Sequence, residues 1–200
     1  MGENKKLFDQ TMNDMGRRSL LLLSLLCYVV GAFAQSDDDF SIKEGDLLCF
    51  KKEASALVSV DLSATQYGKE NIHEEYRQTE RVELPQKILD RALSDFCAQF
   101  NYQNKNGLQI DSENPDVAYR MEIHLLQLNQ GNAGGVLNID DKTSGGAKIS
   151  GMINLIEISS NNNLCVLEFH EISGESKLSK KARIASAFEE LGFRLGKLVK

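Results

Sequence analysis

Two short steps in the chain carry residue types that could do metal chemistry. Glu122 and His124 form one Glu-x-His step, and Glu168 and His170 form another. On a β-strand, residues two apart share a face, so each step sets a carboxylate beside an imidazole. That donor set suits zinc or a related divalent metal. A single ion could take both pairs only if their strands were neighbours. The stretch 147–159 reads as a strand between them, which sets the pairs roughly 9–10 Å apart, twice the strand spacing. The expectation is two solvent-facing polar pairs, with a metal-dependent hydrolase built on this Glu/His face as the alternative.

The cysteines are the second set. Cys49, Cys97 and Cys165 lie in the body of the chain, and Cys27 lies in an apolar segment near its start. No C-x-x-C spacing occurs, which leaves a zinc ribbon or a thioredoxin-type site without support. Cys97 and Cys165 fall on apolar faces, where a free Cys packs as a small hydrophobe. Buried free thiols are the first reading and one disulfide among the three is the second. No nearby base in the sequence marks a nucleophile.

Other motifs are weaker. Residues 131–151 hold six glycines, yet nothing there matches a phosphate-binding loop, and the stretch does not lead from a strand into a helix. It reads as a hairpin tip. Asp140 and Asp141 lack calcium-loop spacing. There is no G-x-S-x-G nucleophile elbow, and His73 sits in a charged segment without a recognisable partner. Glu189 and Glu190 are adjacent, so they diverge around a helix. No catalytic residue and no cofactor is implied.

The elements that must position these residues follow from periodicity. Residues 56–67 alternate, with Val58, Val60, Leu62 and Ala64 on one side and Ser59, Asp61, Ser63 and Thr65 on the other. This predicts a half-buried strand. "LLCF" at 47–50 reads as a short edge strand, and 68–83 as a charged loop. A helix is predicted over 84–101, opened by Pro85, with Leu89, Leu93, Phe96 and Phe100 along one face. Strands are predicted at 117–128, 147–159 and 164–173, forming an antiparallel meander with a turn at "NNN" 161–163. A last helix carries Ile184, Phe188, Leu191, Leu195 and Leu198 in one stripe. Its Gly192 and Gly196 read as places of close packing on the sheet. The order β-α-β-β-β-α implies an α+β two-layer sandwich: a mostly antiparallel sheet with two amphipathic helices on one face.

The chain also carries an export signal. Arg17 and Arg18 precede an uncharged run from Ser19 to Val30, and Ala32 and Ala34 flank Phe33. A basic patch, a short apolar run and an A-x-A site describe a signal peptide cut between Ala34 and Gln35. The run is shorter than the roughly 20 residues a spanning helix needs, so no membrane span is expected after cleavage. The compact version of this signal starts at Met15, which reads as the true start. Cys27 follows Leu26 rather than a small residue, so lipid anchoring is not expected. The expected organisation is a signal peptide over 1–34, a polar leader over 35–53 and one α+β domain over 54–200, in the periplasm or outside the cell.

Composition agrees with one ordinary exported domain. Asp and Glu outnumber Lys and Arg by 29 to 23, a net charge of −6, which argues against nucleic-acid binding. The one basic cluster, "KLSKKAR" at 177–183, reads as a helix flank. Partners are expected among proteins or cell-envelope components, with 68–83 and 130–146 as contact loops.

Five stretches carry a resemblance: "ASALVSVDLSATQYG", "NPDVAYRMEIHLLQLNQG", "SGGAKISGMINLIEI", "LEFHEISGE" and "RIASAFEELGFRLGKLV". The chain resembles a loose group of uncharacterised exported bacterial domains. The group includes small lipoproteins and periplasmic modules like those of curli-secretion and Tol-associated proteins. The resemblance covers most of 54–199. It implies an extracytoplasmic α+β unit and transfers no catalytic residue. The missing lipid-attachment motif departs from the lipoproteins of that group.

Overall fold

The computed structural model describes residues 39–67, 70–71, 83–131 and 145–200. In chain order they form β1 (Phe40–Gly45), a 3-10 turn (Leu47–Lys51), β2 (Ser55–Asp61), β3 (Gln66–Tyr67), β4 (Glu70–Asn71) and α1 (Glu83–Gln103). Then come β5 (Gln109–Asp111), β6 (Tyr119–Asn129), β7 (Lys148–Glu157), β8 (Asn162–Ser173) and α2 (Lys180–Leu198). The strands line up as β1-β8-β7-β6-β2-β5, with β3 beside β6 and β4 beside β3.

The α+β sandwich expected from the periodicity is present. β6, β7 and β8 form the antiparallel meander, and along each of them buried positions interleave with half-buried or exposed ones. Met121, Ile123, Ile153, Leu155, Leu167 and Phe169 point into one core with Phe96 and Phe100 of α1 and Phe188 and Leu191 of α2. Burying each such side chain contributes about 1.5–3 kcal/mol. The opposite sheet face has no helix on it among the described residues.

Three features of the sheet and of the domain's start depart from the expectation. The first is parallel pairing: β2 runs parallel to both β6 and β5. The crossover from β2 through α1 to β5 requires this sense. The second is the break after Asp61. Leu62–Thr65 form a turn in which Thr65 N donates to Leu62 O at 3.1 Å. Thr65, expected to face outward, is fully buried, and its hydroxyl donates to Leu125 O at 2.6 Å. That carbonyl sits at the β6 irregularity between Leu125 and Gln127.

The third is the start of the domain. Residues expected as a polar leader include a sheet strand. β1 pairs antiparallel with β8, Phe40 is buried, and Asp39 O accepts from His170 N at 2.9 Å. The Asp39 carboxylate, last of the acidic run, is ion-paired with Arg194 of α2. "LLCF" forms the 3-10 turn rather than a strand, with Phe50 in the core.

α1 and α2 lie side by side in the same sense. Gly192 faces Phe96 and, one turn on, Gly196 faces Phe100. The two glycines therefore admit the neighbouring helix, not the sheet. The basic flank of α2 is also more than a flank. Ser179 caps the helix, and Arg183 is only 6% exposed. Its guanidinium donates to Gln130 O at 2.8 Å, Gly131 O at 3.3 Å and Lys177 O at 2.9 Å. It ties the chain leaving β6 to the entry of α2. The hairpin joining β6 to β7 is present; most of its tip, 132–144, lies outside the described residues, as do 68–69 and 72–82.

Candidate functional site

The open sheet face holds both Glu-x-His steps. Across it, His124 on β6 is the ladder partner of Met152 on β7, which is the partner of Glu168 on β8. β7 therefore separates the two pairs, as its sequence position implies. Among the described residues, no group of three or more His, Cys, Asp or Glu is arranged to hold a metal ion. Glu122, His124, Glu168 and His170 are not brought together as four ligands.

Each pair has found other partners. His124 Nδ1 lies 3.1 Å from Asp61 Oδ2, across the parallel β2–β6 ladder. Its Nε2 is 3.4 Å from Glu122 Oε2, and Glu122 Oε1 is 2.7 Å from Arg120 Nε. The ring stands between two carboxylates, with Nδ1 the better placed to donate. The backbone N–H of Ser63, then its hydroxyl, and after them the His124 ring hold the Asp61 carboxyl below its ordinary range. On β8, Glu168 is ion-paired with Lys43, accepts from Ser41 Oγ at 3.2 Å and lies 3.2 Å from His170 Nε2. Lys43 foremost lowers the Glu168 carboxyl. Asp61, Ser41 and Lys43 were not expected as partners. The outward phase of Asp61 was readable; its partner strand was not.

Three buried polar atoms cluster around Glu122 on this face: Arg120 Nε and His124 Nε2, which face its carboxylate at 2.7 and 3.4 Å without hydrogen-bond geometry, and Asn154 Oδ1, which has no hydrogen-bond partner among the described residues. Asn154 is directly opposite Glu122 in the ladder. None of the three clefts described among these residues includes His124 or His170.

A cleft of about 650 Å³ lies instead between α1 and the outer edge of β2. β5 pairs only with Ser55–Leu57 of β2. Beyond Leu57, β2 has β6 on one side and, among the described residues, no strand on the other. Val60, Leu89 and Leu93 supply half-buried apolar surface next to that free edge. The charged residues described in the lining are Asp90, Asp111 and Glu113, and all are acidic. Cys97 is also in the lining. Burial first, and the nearby Asp111 carboxylate second, push its thiol up to about 12, which makes it a poor nucleophile at neutral pH.

Cys49, Cys97 and Cys165 are free and buried. Ala34 and Gln35, the expected cleavage site, lie outside the described residues, as does most of each expected contact loop. Among the described residues no helix is long and apolar enough to cross a membrane.

No protein-family model matches the chain, and no curated protein matches it. Among solved structures it is similar to the PelC dodecamer from Paraburkholderia phytofirmans. The identity is 12%, the match covers 78% of this chain and 95% of that chain, and the TM-score is 0.41. A single-substitution variant of that dodecamer gives 11% identity, the same coverage of 78% and 95%, and a TM-score of 0.38.

Proposed function

We propose that this chain is a non-catalytic exported binding domain whose ligand is an extended, cationic segment of a protein partner. The observation that carries the reading is the edge of β2 from Val58 to Asp61, unpaired among the described residues and lying over an acidic cleft. An extended segment laid along that edge continues the sheet where β5 stops, and its backbone pairs with β2. Alternate side chains enter the cleft against Val60, Leu89 and Leu93. Lys or Arg flanking them meets Asp90, Asp111 and Glu113, which also speeds encounter and rejects acidic segments. Export rests on the sequence alone: Arg17–Arg18, the apolar run and the A-x-A site before Gln35.

The test uses two synthetic peptides, one alternating Lys with Val and one alternating Glu with Val. Each is titrated into the isotopically labelled full chain. The Lys peptide is expected to shift the amide resonances of Val58–Asp61 and of the α1 face around Leu89 and Leu93, and the Glu peptide to leave them in place. Equal binding of both, or shifts confined to the opposite sheet edge at β1, would defeat the reading. N-terminal sequencing of protein recovered outside the cytoplasm tests export separately, with Gln35 as the expected first residue.

A further inference from the structure

We infer that Cys49 and Cys165 are a disulfide-forming pair, closed by exchange with an external disulfide, while Cys97 stays a thiol. The placement comes from the backbone. Gly45, the last residue of β1, is the ladder partner of Cys165. Its φ of +73° turns the chain out of the strand in a conformation that favours glycine. A Cβ there would collide with the Leu164 carbonyl, so the turn begins in direct contact with β8. Asp46 then caps the 3-10 turn, its carboxylate accepting from Leu48 N at 2.7 Å. One tight turn carries Cys49 back over β8, with its Sγ donating to Asp46 O at 3.0 Å. The turn packs on β8, where Cys165 sits beside Gly45, and both sulfurs lie in the same core cluster. Both are buried, Cys165 completely. Among the described residues Cys97 has no cysteine neighbour; it faces the cleft beside Asp111.

The chemistry has a direction. Cys49 is the more accessible of the two, 8% exposed against 0% for Cys165, and the neighbouring Cys165 side chain holds its thiol below the ordinary value while that of Cys165 is pushed up. Cys49 is therefore the attacking sulfur. Its thiolate bonds to one sulfur of the external disulfide and breaks that S–S bond, and the released thiolate takes up a proton. Cys165 then gives up its proton, attacks the Cys49 sulfur and expels the second external thiol. Two protein thiols are oxidised to one disulfide, and the external disulfide is reduced to two thiols. An extracytoplasmic compartment supplies such oxidants. The bond fastens the 3-10 turn, and β1 before it, to an inner strand of the sheet, and it closes a long loop of chain, the situation in which a crosslink most restricts the unfolded state.

The test needs no export. The reduced full chain is incubated with excess glutathione disulfide, alkylated under denaturing conditions and mapped by mass spectrometry. Two of its four cysteines are expected to escape alkylation, in one peptide pair joining Cys49 to Cys165 and lighter by two hydrogens. Cys97→Ser is expected to form the same crosslink, and Cys49→Ser and Cys165→Ser to form none. Four alkylated thiols, a glutathione adduct that persists on Cys49, or a crosslink through Cys97 or Cys27 would each overturn the assignment.

Discussion

Gly192 of α2 rests against the backbone carbonyl of Phe96 on α1, so closely that a Cβ there would overlap the carbonyl oxygen. Two opposed effects meet at this point. Alanine in place of a mid-helix glycine gains roughly 1 kcal/mol in helix propensity. Forcing a methyl into a filled interface costs about 1–3 kcal/mol. Here the obstacle is backbone, which cannot rotate away, so the steric cost wins. Gly192→Ala is expected to lower the unfolding free energy by about 1 kcal/mol or more in urea titrations. At Gly196 the nearest obstacle is Gln103 Cβ at 2.6 Å, with Phe100 O at 3.0 Å. That Cβ is fixed to the backbone and cannot rotate away, so Gly196→Ala is expected to destabilise as well, eased only by a shift of the last turn of α1, which ends at Gln103. A Gly192→Ala protein as stable as the parent would mean that the helices separate freely.

Phe50 tests where the domain begins. It is fully buried, and its ring is 6.4 Å from that of Phe100 at a tilt of 58°. Its carbonyl accepts from Leu108 N at 2.9 Å and from Asn104 Nδ2 at 3.0 Å. The turn before β2 is thus bonded to the loop after α1. Phe50→Ala is expected to destabilise by about 3–5 kcal/mol, as for other buried phenylalanines. A chain cut to begin at Ala54 loses this ring and also uncovers the β8 edge. Thermal unfolding of the two variants checks both effects. An unchanged midpoint for the shortened chain would make residues 39–53 dispensable.

The pattern of successes and misses has a physical origin. The meander and both helices were legible because each buries one full face and so writes its period into the sequence, as Met121, Ile123 and Leu125 do on β6. β1 buries Phe40 and leaves most of its length exposed, so no alternation marks it. β5 is three residues long. The parallel neighbours of β2 depend on a crossover, and a strand's own pattern is the same for either sense of pairing. For the same reason the Glu-x-His faces were legible and their partners were not: Asp61 reaches His124, and Ser41 and Lys43 reach Glu168, across ladders that only the fold defines. The glycines of α2 signalled a close approach without saying to what. The cleft beside α1 exists because β5 is short, which is a statement about topology.

The Asp61–His124 contact makes a pH-dependent contribution to stability, and its sign follows from the carboxylate. Asp61 titrates below its ordinary value in the folded protein, through the Ser63 N–H first and the Ser63 hydroxyl and His124 after it. A group depressed on folding stabilises above its unfolded value, about 4 for Asp, and that stabilisation disappears as pH falls through the lower folded value. Asp61→Asn isolates the charge, because the amide keeps an oxygen for the Ser63 N–H bond, which measures 2.8 Å in the parent. The parent is therefore expected to exceed Asp61→Asn in stability at pH 6. The gap should narrow below about pH 4 and close toward pH 2, where both chains are neutral at this position. Because Asp61 is about half exposed, with 45% of its side chain accessible, added salt is expected to shrink the gap at pH 6 as well. Urea titrations at a series of pH values measure the difference directly. A gap that stays constant from pH 6 to pH 2 would mean that the carboxylate contributes shape and not charge.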